Sequence, residues 1–149
     1  MNMGKNRGFS LIELLIVMVV LSIILGLAVP GYRQFMMRAN RADATTALLR
    51  LQAAQERFYI QNGTYASNAQ MAAAPPAGLG ITGTERNYYN LGIQPAAGGL
   101  VVGYTATATV NAAEAQKDDT DCWVFATSES GQHTAVTNGG SDMTDKCWR

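Results

Sequence analysis

The sequence has little charge and few residues of the types that hold metals. Only 15% of its 149 residues are charged, and eleven Lys and Arg balance eleven Asp and Glu. This balance argues against nucleic acid as a partner, because nucleic-acid binders normally carry a basic excess. One His and two Cys exclude a multi-His metal site, a Cys₄ zinc site and a four-Cys iron–sulfur cluster within one chain. We therefore expect neither a metal nor a cofactor.

Catalytic patterns are also missing from the sequence. Ser128 and Ser130 have no His/Asp relay, and the single His133 follows a turn, where a surface or strand position is the simplest interpretation. No phosphate-binding loop and no dinucleotide fingerprint are present. We predict that the chain is not an enzyme; an anchored periplasmic enzyme is the alternative.

The main feature that is present is an apolar run over residues 9–29. At about 1.5 Å per residue its 21 residues cover about 31 Å, enough to cross a bilayer. It is longer than the apolar core of a secretory signal peptide and lacks an A-x-A-like site after it. Lys5 and Arg7 precede it, which predicts a cytoplasmic N-terminus and a periplasmic C-terminal bulk.

Glu13 distinguishes this segment from a plain signal anchor. An acidic residue inside a membrane span costs roughly 2.5–3.5 kcal/mol, and such residues are usually functional. Glu13 lies four residues after Phe9, on the same helical face. Cleavage after Gly8 would create a positively charged amine on Phe9 that Glu13 neutralises, in its own helix or in a neighbouring one.

The segment 5–14, KNRGFSLIEL, resembles the class III signal of type IV prepilins. The resemblance implies that a membrane prepilin peptidase cuts after Gly8 and that the amine of Phe9 is methylated. It also implies that Glu13 recruits and registers subunits during filament assembly. Pro30 falls where pilin helices often bend or melt in the filament, next to a second weak point at Gly26.

The rest of the chain predicts an α+β head. Apolar residues recur at three- and four-residue steps up to Phe58, which favours one long helix from about Phe9 to Gln61. Residues 63–86, rich in Ala, Gly, Pro and Thr, read as a loop. Period-two runs then predict an antiparallel sheet packed against the helix, with strands at 88–93, 100–110, 122–127 and 132–137.

Cys122 and Cys147 lie 25 positions apart in a chain expected to face the periplasm. An oxidising compartment makes a disulfide the default, worth about 3.5 kcal/mol by loop entropy, and two free thiols are the alternative.

Residues 55–65 and the Cys-Trp-Arg ending resemble the PilE-type minor pilins of twitching bacteria. The expected organisation is then a leader (1–8), a membrane or filament-core helix (9–29), an amphipathic helix half (30–62) and a head (63–149). Within the head we expect an αβ-loop (63–86), a sheet (88–137) and a disulfide loop (122–147).

Charge is distributed unevenly along the chain. Five Arg lie between residues 33 and 57, whereas seven acids lie from residue 114 onward. Basic helix and acidic head would meet between stacked subunits, or both would be solvated faces. Asp118, Asp119 and Asp121 do not have EF-hand spacing, so a solvated acidic turn is favoured over a calcium site.

These observations and the resemblance together predict a type IV pilus subunit, a minor pilin needed for pilus initiation, twitching motility and surface adhesion. A major pilin or a type II secretion pseudopilin is the alternative within the class, and a pilus-tip module that binds DNA or a surface receptor is the alternative outside it. The expected partners are major and minor pilins, the prepilin peptidase and the inner-membrane assembly platform. We expect the chain in the inner membrane before assembly and in the extracellular pilus afterwards.

Overall fold

The computed structural model describes residues 9–148, without the side chains of residues 29 and 30. The expected cleavage residue Gly8 therefore lies outside the described residues. The chain divides into two compact units, Met1–Met36 and Met37–Arg149. Helix α1, Leu11–Asn62, contributes to both. The backbone is helical through Gly26 and Pro30, so their role as a weak point in a filament stays a prediction.

The first unit is an apolar helical segment. Every residue from 9 to 28 is exposed, and none of the most apolar 18-residue window, of mean hydropathy 2.9, is buried. By length and composition α1 is able to cross a membrane. A helix that is apolar on all sides is stable only when lipid or other helices cover it.

The second unit contains a four-stranded antiparallel meander in the order β1-β2-β3-β4. The strands are β1 Tyr89–Pro95, β2 Tyr104–Val110, β3 Val124–Ser128 and β4 His133–Val136. The predicted α+β architecture is confirmed. β2 begins four residues later than the sequence predicts, because residues 96–103 fold into a tight connection in which Gly99 N–H donates to Ala96 O (2.8 Å).

One face of α1 packs on one face of this sheet. Leu48 and Leu51 of α1 are fully buried, and Phe58 is nearly so. Along β2 the inward residues are buried while the outward Thr residues are half-buried, which is the period-two pattern expected of a sheet with one covered face. The buried apolar side chains of the sheet are Tyr89, Ile93, Tyr104, Ala106, Ala108, Val110, Phe125 and Ala135.

The connections are more ordered than the sequence predicts. The αβ-loop contains a 3₁₀-helix, Asn68–Gln70, and a second 3₁₀-helix, Ala115–Asp118, precedes β3. Gln55 on α1 holds the start of the loop, because its buried amide donates to Ala66 O (2.9 Å) and accepts from Ala66 N–H (2.7 Å). A short helix α2, Thr144–Cys147, closes the C-terminal region.

Candidate functional site

The first turn of α1 carries the acid singled out by the sequence. Helical hydrogen bonding begins at Ser10, whose carbonyl accepts from Glu13 N–H (3.1 Å) and Leu14 N–H (3.2 Å). Glu13 and Phe9 are both exposed. A carboxylate in the first turn is favoured by the positive end of the helix dipole. Glu13 is also the only charged residue between positions 9 and 32.

The hydroxyl of Ser22, further along the apolar segment, is satisfied by the helix itself. Ser22 Oγ lies 2.6 Å from Met18 O and 3.0 Å from Val19 O, within reach of both backbone carbonyls. Ser22 therefore needs no partner from a neighbouring chain. The charge on Glu13 differs in kind, since a carboxylate in an apolar medium requires a cation or several donors.

The part of α1 in the second unit has an exposed stripe of small and aliphatic residues on its solvent side, interrupted by the polar residues Thr46 and Glu56. Its members are exposed and follow steps of three, four or seven residues, the spacing by which helices pack along a seam. Leu49 is 52% exposed and Ile60 is 81% exposed. We call these residues the outer stripe: Ala39, Ala42, Thr46, Leu49, Ala53 and Ile60.

A buried polar network joins α1 to the segment before β3. Arg41 donates to Asp119 through Nε and Nη2, both at 2.8 Å. Gln116 Nε2 lies 2.9 Å from Asp119 Oδ2 and 3.1 Å from the hydroxyl of Tyr89. Asp119 is 3% exposed and Gln116 is fully buried. The hydrogen bond to Asp119 raises the pKa of Arg41, and burial raises the pKa of the Tyr89 hydroxyl.

This network corrects the expected solvated acidic turn at Asp119, whereas Asp118 is exposed as expected. Asp119 is buried against Arg41, and Asp121 accepts a hydrogen bond from Lys146 Nζ at 2.6 Å. The basic helix and the acidic head therefore meet within one chain. Among residues 9–148, no group of three His, Cys, Asp or Glu side chains is placed to hold a metal ion.

The C-terminal region is closed by the Cys122–Cys147 disulfide, as expected. Trp148 lies beside the disulfide and stacks on His133, with ring centroids 4.0 Å apart and an interplanar angle of 1°. Its indole N–H donates to Thr134 O (2.9 Å). His133 is therefore a packed strand residue rather than one without a partner.

Several basic residues of the second unit have polar partners within the chain. From residue 37 onward eight Lys and Arg face ten Asp and Glu. Arg41, Arg50 and Lys146 each pair with an acid, and Arg86 Nη1 donates to Asn40 Oδ1 (3.3 Å). Cations held this way contribute less to the field that attracts phosphates.

The fold and the N-terminal segment define a type IV pilin. A model of the prokaryotic N-terminal methylation motif matches residues 3–29. A family model described as "Type IV minor pilin ComP, DNA uptake sequence receptor" matches residues 30–126. Because the second match covers more than half of the chain, the chain belongs to this family of type IV pilins, which are structural subunits.

Relatives come from pili and from secretion systems. The chain is 34% identical over 110 residues to the type IV major pilin protein PilA of Myxococcus xanthus, covering 73% of this chain and 46% of that protein. It is 29% identical over 84 residues to the type II secretion system core protein G of Pectobacterium carotovorum, covering 56% and 54%. The chain thus spans about half the length of these relatives. A type IV pilin structure from Shewanella oneidensis matches with 22% identity and a TM-score of 0.45, covering 65% of this chain and 89% of that one.

Sequence reasoning missed the buried residues Gln116 and Asp119. Asp119 lies among other acids, and Gln116 lies in a polar stretch with no apolar periodicity. Arg41 is one of five arginines on α1, and no local pattern separates it from the others. The pairing of Arg41 with Asp119 joins positions 78 apart in sequence, so it is visible only once the helix is packed on the sheet.

Proposed function

We propose that this pilin is a minor subunit of a type IV pilus that acts in pilus initiation, supporting twitching motility and surface adhesion. The observation that carries the proposal is the exposed apolar segment of residues 9–28, whose one charge, Glu13, lies in the first turn of the helix. The match to the methylation motif supports cleavage after Gly8 and methylation of Phe9. The minor role is supported by the description of the matching family.

In this proposal the chain waits in the inner membrane with its N-terminus in the cytoplasm and its head in the periplasm. A prepilin peptidase processes it, and the assembly platform passes it into the filament, where it contacts major and minor pilins. Residues 9–29 then leave the lipid and pack against neighbouring helices, and Pro30 marks the point where the helix bends or melts. The outer stripe would cover part of the same helical core.

Mass spectrometry of pili sheared from cells tests the proposal. We expect a peptide that begins at methylated Phe9, at low stoichiometry relative to the major subunit. High stoichiometry would make this chain a major pilin. Absence from sheared pili, with the protein retained in the envelope, would favour a secretion pseudopilin or an uncleaved anchor.

The role of Glu13 is tested by Glu13→Ala, with Ser22→Ala as the control in the same segment. We expect Glu13→Ala to be processed normally but to be lost from pili, because the methylated amine of an incoming subunit has no carboxylate to pair with. Ser22→Ala should be processed and incorporated, since Ser22 bonds only to its own helix. Incorporation of Glu13→Ala at the wild-type level would remove the registry role.

DNA capture is the second candidate function, and the description of the matching family as a DNA uptake sequence receptor favours it. The charge balance and the ion pairs of the head weigh against it. An electrophoretic shift assay with the full chain in detergent and a salt series separates the two. Binding that weakens steeply with salt would support DNA capture, and no shift at low salt would refute it.

A further inference from the structure

The β1–β2 connection forms a rigid apolar knob. Val101 and Val102 are each 65% exposed, and residues 96–103 carry no charge. The connection is held by Gly103 N–H donating to Gly99 O (3.1 Å) and by Tyr65 N–H donating to Leu100 O (2.9 Å). Because the two valines are already fixed in position, burying them in a partner costs little ordering entropy.

A cleft on another part of the same unit matches this knob in size and character. It lies between the last turns of α1 and the αβ-loop, and its volume is about 110 Å³. For comparison, an apolar cavity of about 150 Å³ binds benzene, so this cleft has room for a branched aliphatic side chain. Phe58 and Leu79 provide buried apolar lining, and Arg57 is the only charged residue among the lining side chains.

The charges beside the knob and the cleft are opposite. A Cβ added to Gly103 would lie 2.9 Å from Glu129 Oε2, so the Glu129 carboxylate packs over the residue that follows Val102. Within residues 9–148, neither Glu129 nor Arg57 takes part in an ion pair. Each of these charges is therefore available to a group outside the chain.

We infer that the Val101–Val102 knob of one copy docks into the Arg57-rimmed cleft of a second copy, with Glu129 facing Arg57. The two surfaces are different, so the contact is heterologous, and further copies could extend it into a ring or an open chain. The acid beside the knob disfavours DNA or an anionic lipid surface as its occupant. The inference rests on the proposed function in one respect, that at least two copies of this subunit meet where a pilus is initiated.

Site-specific crosslinking of the full chain in lipid nanodiscs tests the contact. Benzoylphenylalanine replaces Ala97, an exposed residue of the same connection, so that both valines are kept, and the irradiated product is analysed by mass spectrometry. We expect a dimer whose adduct lies within residues 54–61 or 75–79 of the second copy. An adduct elsewhere on the second copy, an adduct on lipid, or no dimer would each overturn the proposal.

Charge reversal tests the same contact independently. Arg57→Glu and Glu129→Arg should each lower the dimer yield about two- to fivefold, and the double variant should restore it. Lys117→Glu and Glu114→Arg, which reverse exposed charges elsewhere on the same unit, should leave the yield unchanged. A double variant no better than the single ones, or controls that fall equally, would overturn the proposal. These yields are measured without pili, so their outcome is separate from that of the proposed function.

Discussion

Removing the carboxylate of Asp119 should destabilise the head strongly. Asp119→Ala leaves the guanidinium of Arg41, 12% exposed in the structure, without its bidentate partner. It also removes an acceptor from the fully buried amide of Gln116. Breaking a buried ion pair from one side costs about 3–5 kcal/mol, because the remaining charge stays desolvated. That is a large share of the roughly 5–15 kcal/mol that stabilises a typical domain.

The assay is urea unfolding of the full chain in mild detergent, followed by tryptophan fluorescence. Trp123 and Trp148 both lie in the second unit, so the signal reports on the head alone. With a denaturant slope of about 2 kcal/mol per molar urea, the midpoint should fall by about 2 M. Glu114→Ala, an exposed acid on the same connecting segment, is the control and should change stability by less than about 0.5 kcal/mol.

Replacing both partners separates the cost of an orphaned charge from the worth of the pair. Arg41→Met with Asp119→Leu should recover most of the lost stability, since apolar replacements of similar volume leave no charge buried. A loss of less than about 1 kcal/mol for Asp119→Ala would refute the reasoning. So would a double variant that is as unstable as the single one.

Three further changes test how the head is held together. Cys147→Ser should lower the free energy of unfolding by about 3.5 kcal/mol in thermal or urea unfolding. A reductant should lower the midpoint of the wild type but not that of the variant, and equal midpoints for the two proteins without reductant would exclude a stabilising disulfide. Gln55→Leu should cost about 2–4 kcal/mol, because both backbone groups of Ala66 lose their partners; a neutral result would show that water replaces the amide. Lys146 lowers the pKa of Asp121, so its contribution is present above the ordinary value of 3.8 and is lost as pH falls through the lower folded value. Lys146→Met should flatten that acid limb of stability against pH, and an unchanged limb would contradict this.

Local patterns were sufficient to predict the fold. The alternation of Thr and Ala from Thr105 to Val110 predicts a strand with one covered face, and β2 has that burial pattern. The apolar stripe through Leu48, Leu51 and Phe58 predicts the helix face that packs on it. Each signal repeats within a few residues, so packing has only to bring together two faces already defined.

Long-range polar pairs follow a different logic. An acid on a connection is expected to be solvated, since burial of a carboxylate is costly unless a partner from elsewhere in the chain pairs with it. For Asp119 the partner is Arg41, and no feature of the sequence distinguishes Arg41 from the other arginines of α1. The sequence does not predict the 3₁₀-helix Ala115–Asp118 for the same reason. This helix is held in place by the buried amide of Gln116.

The placement of charge also bears on how such subunits associate. Among the described residues, Arg41, Arg50 and Lys146 are paired with acids of their own chain, and these pairs neutralise part of the field that would steer one head toward another. Specific association then depends on a few charges set beside apolar groups, because such a carboxylate or guanidinium discriminates between a matched and an unmatched partner. Glu13 in the apolar helix, and Arg57 and Glu129 on the head, have this character. In the proposed contacts each such charge is desolvated and screened less by ions, so salt should weaken assembly only modestly.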